Sequence, residues 1–384
     1  MVKPRHFKHM RGLLLPQSRS FWCALLCGLA VFATSPALHA SNVTVAIDIS
    51  EARGVLDAVR NPQLTLEEGL KVAQLPGSQG LIRKALSYGR PADNTSFAKA
   101  LVAAAHHDPT FSDPSKFRFD VIRDHATQTE RVLVALSDPK LHLVADVESR
   151  IALFTPNNLA GTVTGHLVVG GTSYGFAFGD PQFYLDLDFV PSAVLASTIM
   201  KHELFHAIQS LAQSAHKPST QVLACIAQKN STQRVEDLFS SLSKEGTASY
   251  VGDLLALPAQ GTDEPTAKER AEFAGSVDLI NLRITQMELS VHGLATNASV
   301  TPEEVYAAGF YGDQVFYALG YVMARAIAKE QGDTAISALI SESGAEFVMR
   351  YVHLKNYGKS DEAPALDHET VLLAQQITAC SVER

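Results

Sequence analysis

Cysteine is scarce in this chain, and half of it lies at the front: of four cysteines, Cys23 and Cys27 fall within the first 40 residues, leaving only Cys225 and Cys380 beyond. Two cysteines cannot make a disulfide framework, so a hydrophobic core must supply the stability, and at 384 residues with 46% hydrophobic residues the chain can build one. The spacing leaves open whether Cys225 and Cys380 pair or stay as two buried thiols. Charge is also thin, at 19% of residues, with no long run of one sign outside the basic N-terminus, so nothing points to nucleic acid as a partner. There is no internal repeat and no low-complexity segment, which excludes a solenoid and a disordered chain.

Long apolar runs are missing too. The most apolar stretch, Phe21 to Ala33, has 13 residues, against the roughly 20 that span a bilayer. It follows Lys3, Arg5, Lys8, Arg11 and Arg19 and precedes the small-residue run ending at Ala40, so residues 1–40 read as a secretory signal peptide cleaved near Ala40. A membrane anchor is the competing reading, and the short stretch speaks against it. Export would leave a mature chain with no stable membrane span, periplasmic or secreted, in an oxidising compartment. Its formal charge would move from −8 to about −13, because five basic and no acidic residues leave with the signal.

In the mature chain, residues 41–150 read as an N-terminal helical region: apolar residues recur at three- and four-residue spacing, broken at Asn61-Pro62, Pro76-Gly77 and Gly89 to Pro91. Between 151 and 190 the texture changes to alternating apolar and polar residues punctuated by glycines at 161, 165, 170, 171, 175 and 179, which predicts a small sheet of short strands. Helices resume with Pro191-Ser192, first over 191–257 and then over 264–377, making residues 151–384 one catalytic region. The expected class is α+β, with a small strand-rich segment ahead of a helix and helices elsewhere.

That helix carries His202-Glu203-Leu204-Phe205-His206. Histidines four apart project from one helical face and can grip one ion, while Glu203, a step round the helix, can take a proton from a water activated by that ion. A catalytic zinc needs a third protein ligand and an open position, and nothing in 207–216 supplies a third histidine.

Downstream, Glu245-Gly246-Thr247-Ala248-Ser249-Tyr250 resembles the Glu-Gly-x-Ala-x-Tyr segment of gluzincins, the metallopeptidase clan that includes thermolysin and the alanyl-type aminopeptidases. The resemblance runs from about Ser197 to Asp253. It implies a zincin-like fold, Zn2+ as cofactor, His202, His206 and Glu245 as metal ligands, Glu203 as base, and a peptide or protein as substrate. The 38 residues between His206 and Glu245 exceed the interval in the best-known members, so a loop or added helix is expected around Cys225.

Gly246 and Ala248 suit close packing of the Glu245 helix on the His202 helix. Asp253, eight residues after Glu245, is a candidate to orient a metal-bound histidine, with Asp237 as competitor. The strand 183–188 stands where zincins place a substrate-pairing edge strand. Tyr317, which shares a helical face with Tyr321, is the candidate hydrogen-bond donor to the transition state.

Two other classes compete. Gly171-Thr172-Ser173-Tyr174-Gly175 matches a serine-hydrolase string, but the elbow needs a helix directly after Ser173, and residues 176–181 cannot start one. A non-catalytic exported binding protein with the same fold would have no need of Glu203.

Overall fold

A computed structural model of the chain describes residues 42–215, 219–227, 230–312 and 314–382. Residues 1–40, read above as a signal peptide, lie outside the described residues. The described residues fall in one compact unit.

The sheet has four strands, β1 (Asn42–Asp48), β2 (Ala160–Val168), β3 (Gly175–Ala177) and β4 (Gln182–Asp186), in the order β1-β2-β4-β3. β1 runs parallel to β2 with Asn42 opposite Ala160, β2 parallel to β4, and β3 antiparallel to β4. Six helices fill the long connection from β1 to β2: α1 (Ser50–Val59), α2 (Leu66–Ala73), α3 (Pro76–Ser87), α4 (Asn94–Ala105), α5 (Phe119–Leu136) and α6 (Leu143–Ala152). After the sheet come α7 (Ala193–Ala215), α8 (Thr220–Ala227), α9 (Asn230–Gly252), α10 (Glu264–Asp278), α11 (Ile280–Thr296), α12 (Pro302–Tyr306), α13 (Val315–Gln331), α14 (Asp333–Leu339), α15 (Gly344–Val352) and α16 (His368–Val382). The architecture is α+β and mostly helical.

The inner strand β4 is buried at four successive positions from Phe183 to Asp186. Because neighbouring strand residues point to opposite faces, both faces of the sheet are covered there. Helix α7 packs against β4, and α1 and α3 against β2. Two acidic side chains lie in this packing: Glu51 of α1 accepts from the amide of Val169, and Asp186 from those of Gly170 and Asp188. Both are almost fully buried, and Glu51 Oε1 and Asp186 Oδ2 have no hydrogen-bond partner. Burial, ahead of every other influence, pushes both carboxyls well above the usual range.

Two expectations need correction. Residues 42–48, assigned to a helical region, are a strand, because their alternating burial, with Val43 and Val45 inside, matches pairing with a partner more than a hundred residues away. The strand 183–188 is not an edge: the β3–β4 hairpin folds back so that β4 lies between β2 and β3, leaving β3 on the outside. The interval around Cys225 holds α8, and Cys225 is disulfide-bonded to Cys380 of α16.

Candidate metal centre

Helix α7 buries Leu204, Phe205, Ala207, Ile208 and Ala212 completely, which turns His202, Glu203 and His206 to the opposite, half-buried side. Helix α9 crosses this side. Its last residue, Gly252, lies so close to α7 that a Cβ there would stand 3.0 Å from the Thr198 carbonyl oxygen and 3.2 Å from His202 Cβ. Gly246 meets a different helix from the one expected: it packs on Gly320 of α13, where an added Cβ would fall 2.4 Å from that residue's Cα. Two glycines thus let α13 press α9 towards α7, with Glu245 at the crossing.

The result is a cluster of three donor atoms. The Nε2 atoms of His202 and His206 are 3.0 Å apart, and Glu245 Oε2 lies 3.1 Å from His206 Nε2 and 3.4 Å from His202 Nε2. Tetrahedral zinc with ligands at about 2.0–2.1 Å holds its ligand atoms about 3.3–3.4 Å apart, so the spacing fits that ion. Among the described residues it is the one grouping of three or more His, Cys, Asp or Glu side chains with metal-ligand spacing.

A hydrogen-bond chain fixes the chemistry of the cluster. Thr247 Oγ1 donates to the Ser243 carbonyl, and Gln209 Nε2 donates to Thr247 Oγ1 and the Lys244 carbonyl. The amide oxygen of Gln209 is left facing His206 Nδ1 at 2.9 Å, so that nitrogen must carry the proton. In the neutral imidazole His206 Nε2 is then the lone pair, aimed at the cluster, and a cation bound there would take the place of the proton it carries otherwise. The charges agree. Burial opposes charge on both groups, yet the pair outweighs it: Glu245 holds the His206 imidazole up to about 9, and the imidazoles hold the Glu245 carboxyl below its usual range. The three side chains gain by holding positive charge between them.

Glu203 stands outside the three-atom cluster. Burial pushes its carboxyl up, against the pull of the two histidines. Strand β3 lies over it: a Cβ on Gly175 would come within 2.6 Å of Glu203 Oε1, so any other residue there would push the carboxylate from its place. Both residues line a cleft of about 550 Å³ that runs past His202 to Tyr317.

Tyr317 sits with its ring 6.1 Å from that of His202. Burial first, and then the charges of Glu245 and Glu203, push its phenol up, so it stays a proton-bearing donor at ordinary pH. Sequence reasoning missed two residues here. Tyr306, the last residue of α12, is shifted the same way by burial and by the charges of Glu245 and Glu203, and its ring packs on Phe310 of the π-helical turn Ala307–Gly312 that follows it, which no local pattern announces. Gln209 looked like one more residue of an amphipathic helix.

The structure does not bring Asp253 to the histidines. It lies beyond the end of α9, with φ of 27°, where it accepts from the Tyr321 hydroxyl at 2.8 Å and caps the Ala256 amide. Asp237 accepts from Gln233 on the outer side of α9. The place expected of an aspartate is taken by Gln209. Ser173 shares a hydrogen bond with the Tyr88 hydroxyl and is followed by β3 rather than a helix, so the serine-hydrolase elbow is not formed.

A family model described as "Putative zinc dependent peptidase (DUF5700)" matches residues 71–359, about three quarters of the chain. The chain belongs to this family. The matched segment holds every residue of the cluster, the Gln209 chain and both tyrosines. No curated protein and no solved structure matches. In keeping with a peptidase family, the partner class is a peptide, and no helix among the described residues is long and apolar enough to cross a membrane.

Proposed function

We propose that the chain is an exported zinc peptidase of gluzincin type, with His202, His206 and Glu245 as ligands, Glu203 as general base and Tyr317 as hydrogen-bond donor. The observation that carries this reading is the convergence of three lone-pair donors at zinc spacing beside a carboxylate that stays out of the cluster. Zinc held there would lower the pKa of a water molecule towards 7 and polarise a peptide carbonyl. Glu203 takes the proton of the attacking water and passes it to the departing amine. Tyr317 donates to the oxygen that gains charge, and an extended peptide adds to the outer side of β3, whose other side is paired with β4. Residues 1–40 direct export, and the Cys225–Cys380 bridge suits an oxidising compartment.

The test is zinc content and casein hydrolysis of the mature chain beside Glu203→Gln and Glu245→Ala. Glu203→Gln is expected to keep its zinc and lose turnover by about 100-fold or more, and Glu245→Ala to lose both. Unchanged hydrolysis in Glu203→Gln would refute the base assignment, and unchanged zinc in Glu245→Ala the ligand set.

A further inference from the structure

Half of the residues that line the cleft beside the metal centre are aliphatic or aromatic: Leu195, Ile199, Leu254, Phe273, Phe310 and three tyrosines. Apart from the centre's own Glu203, one carboxylate interrupts this lining, that of Glu269. Glu269 and Phe273 are four apart on α10 and share the face that looks into the cleft.

Glu269 makes no hydrogen bond and no ion pair among the described residues, although two cations are its near neighbours in sequence. Arg270 donates to the carbonyls of Leu255 and Leu257, and Lys268 reaches forward along the helix to Glu272. Its half-buried carboxylate, paired with no protein group, stands free in the wall of the cleft to meet a charge that enters. Tyr174 lines the same cleft, and its phenol feels the Glu269 charge. Aromatic rings beside one carboxylate form an environment for a long cationic side chain: the aliphatic stem lies on apolar surface and the charged end meets the carboxylate. The chain's net charge of −8 draws basic peptides towards it.

We propose that Glu269 makes this cleft select peptides that carry lysine or arginine next to the bond presented to the metal centre. The proposal rests on the peptidase reading for its reaction but not for its binding, so binding is the quantity to measure.

The experiment uses the zinc-loaded mature chain with Glu203→Gln and fluorescent octapeptides blocked at both termini, in which one lysine is moved along an alanine background. A parallel series carries norleucine, and blocking the termini removes the α-amine as a competing cation. At one position lysine is expected to bind about tenfold tighter than norleucine, and Glu269→Gln to bring that ratio to about one. Glu269→Lys should invert it in favour of a glutamate peptide, a gain that misfolding does not produce. If no position favours lysine, or the preference survives Glu269→Gln, the proposal is overturned. Casein hydrolysis by wild type separates the two readings: hydrolysis without a lysine preference sinks the subsite alone, and a lysine preference without hydrolysis sinks the peptidase alone.

Discussion

Replacing Gly320 by alanine tests whether the metal centre depends on the crossing of α9 and α13. The new Cβ would stand 2.6 Å from both Gly246 Cα and the Leu242 carbonyl oxygen, where ordinary contact begins at 3.4 Å. Both obstacles are backbone, so relief requires the helices to part by about 0.8 Å rather than a side chain to rotate. Overpacking of this kind costs about 1–3 kcal/mol, and alanine's better helix propensity returns about 0.5–1 kcal/mol, leaving a net loss of up to about 2.5 kcal/mol. The displaced backbone is next to Glu245, whose carboxylate must stay 3.1 and 3.4 Å from two imidazoles, so zinc affinity should fall with stability. Urea denaturation of metal-free protein and competition with a chromophoric chelator read the two effects. Gly275→Ala is the control: it lies on exposed α10 with nothing within 4 Å of an added Cβ, and should be neutral or stabilising. If Gly320→Ala matches wild type in both measurements, the close crossing is not what sets the ligand geometry.

Gln209→Leu removes the acceptor that fixes the His206 proton, and zinc affinity by chelator competition should drop about 10- to 100-fold; an unchanged affinity would count against the hydrogen-bond chain. Gly175→Ala drives a methyl group onto the Glu203 carboxylate, so casein turnover should fall while bound zinc, measured by atomic absorption, remains. The third expectation concerns pH. Glu51 and Asp186 have folded-state pKa values raised above 4.5 and 3.8, so the native state holds protons the unfolded chain has already released, and their contribution to stability is lost as pH rises from these values through the raised ones. Glu51→Gln should flatten that decline in melts recorded across the pH range, and an identical slope would show that the Glu51 carboxyl is not buried as described.

What could be read from the sequence was what one helix or strand encodes locally. Four-residue spacing puts His202 and His206 on one face whatever surrounds them, and the glycine-punctuated alternation over 160–186 marks strands without their partners. Pairing is not local: β1 finds β2 across more than a hundred residues, and the hairpin that makes β3 the outer strand leaves no trace in the composition of β4. Gln209 acquires its meaning only when α9 brings Thr247 and the Lys244 carbonyl alongside, and Tyr306 only when Glu245 is near enough for its charge to act on the phenol. Gly246 was legible as a close-packing residue, but which helix it meets is a tertiary fact.

The parallel pairing of β1 with β2 also sets how far apart in sequence the contacts of this fold lie. Bringing Asn42 to Ala160 closes a loop of more than a hundred residues that holds α1 to α6, and its closure entropy opposes every ladder hydrogen bond between the two strands. Helices α7 and α9 meet across a much shorter interval. The β3 cover, which brings Gly175 to Glu203, closes a shorter loop still than the 39 residues from His206 to Glu245, so cradle and cover are both local and only the β1 edge of the sheet carries the long closure.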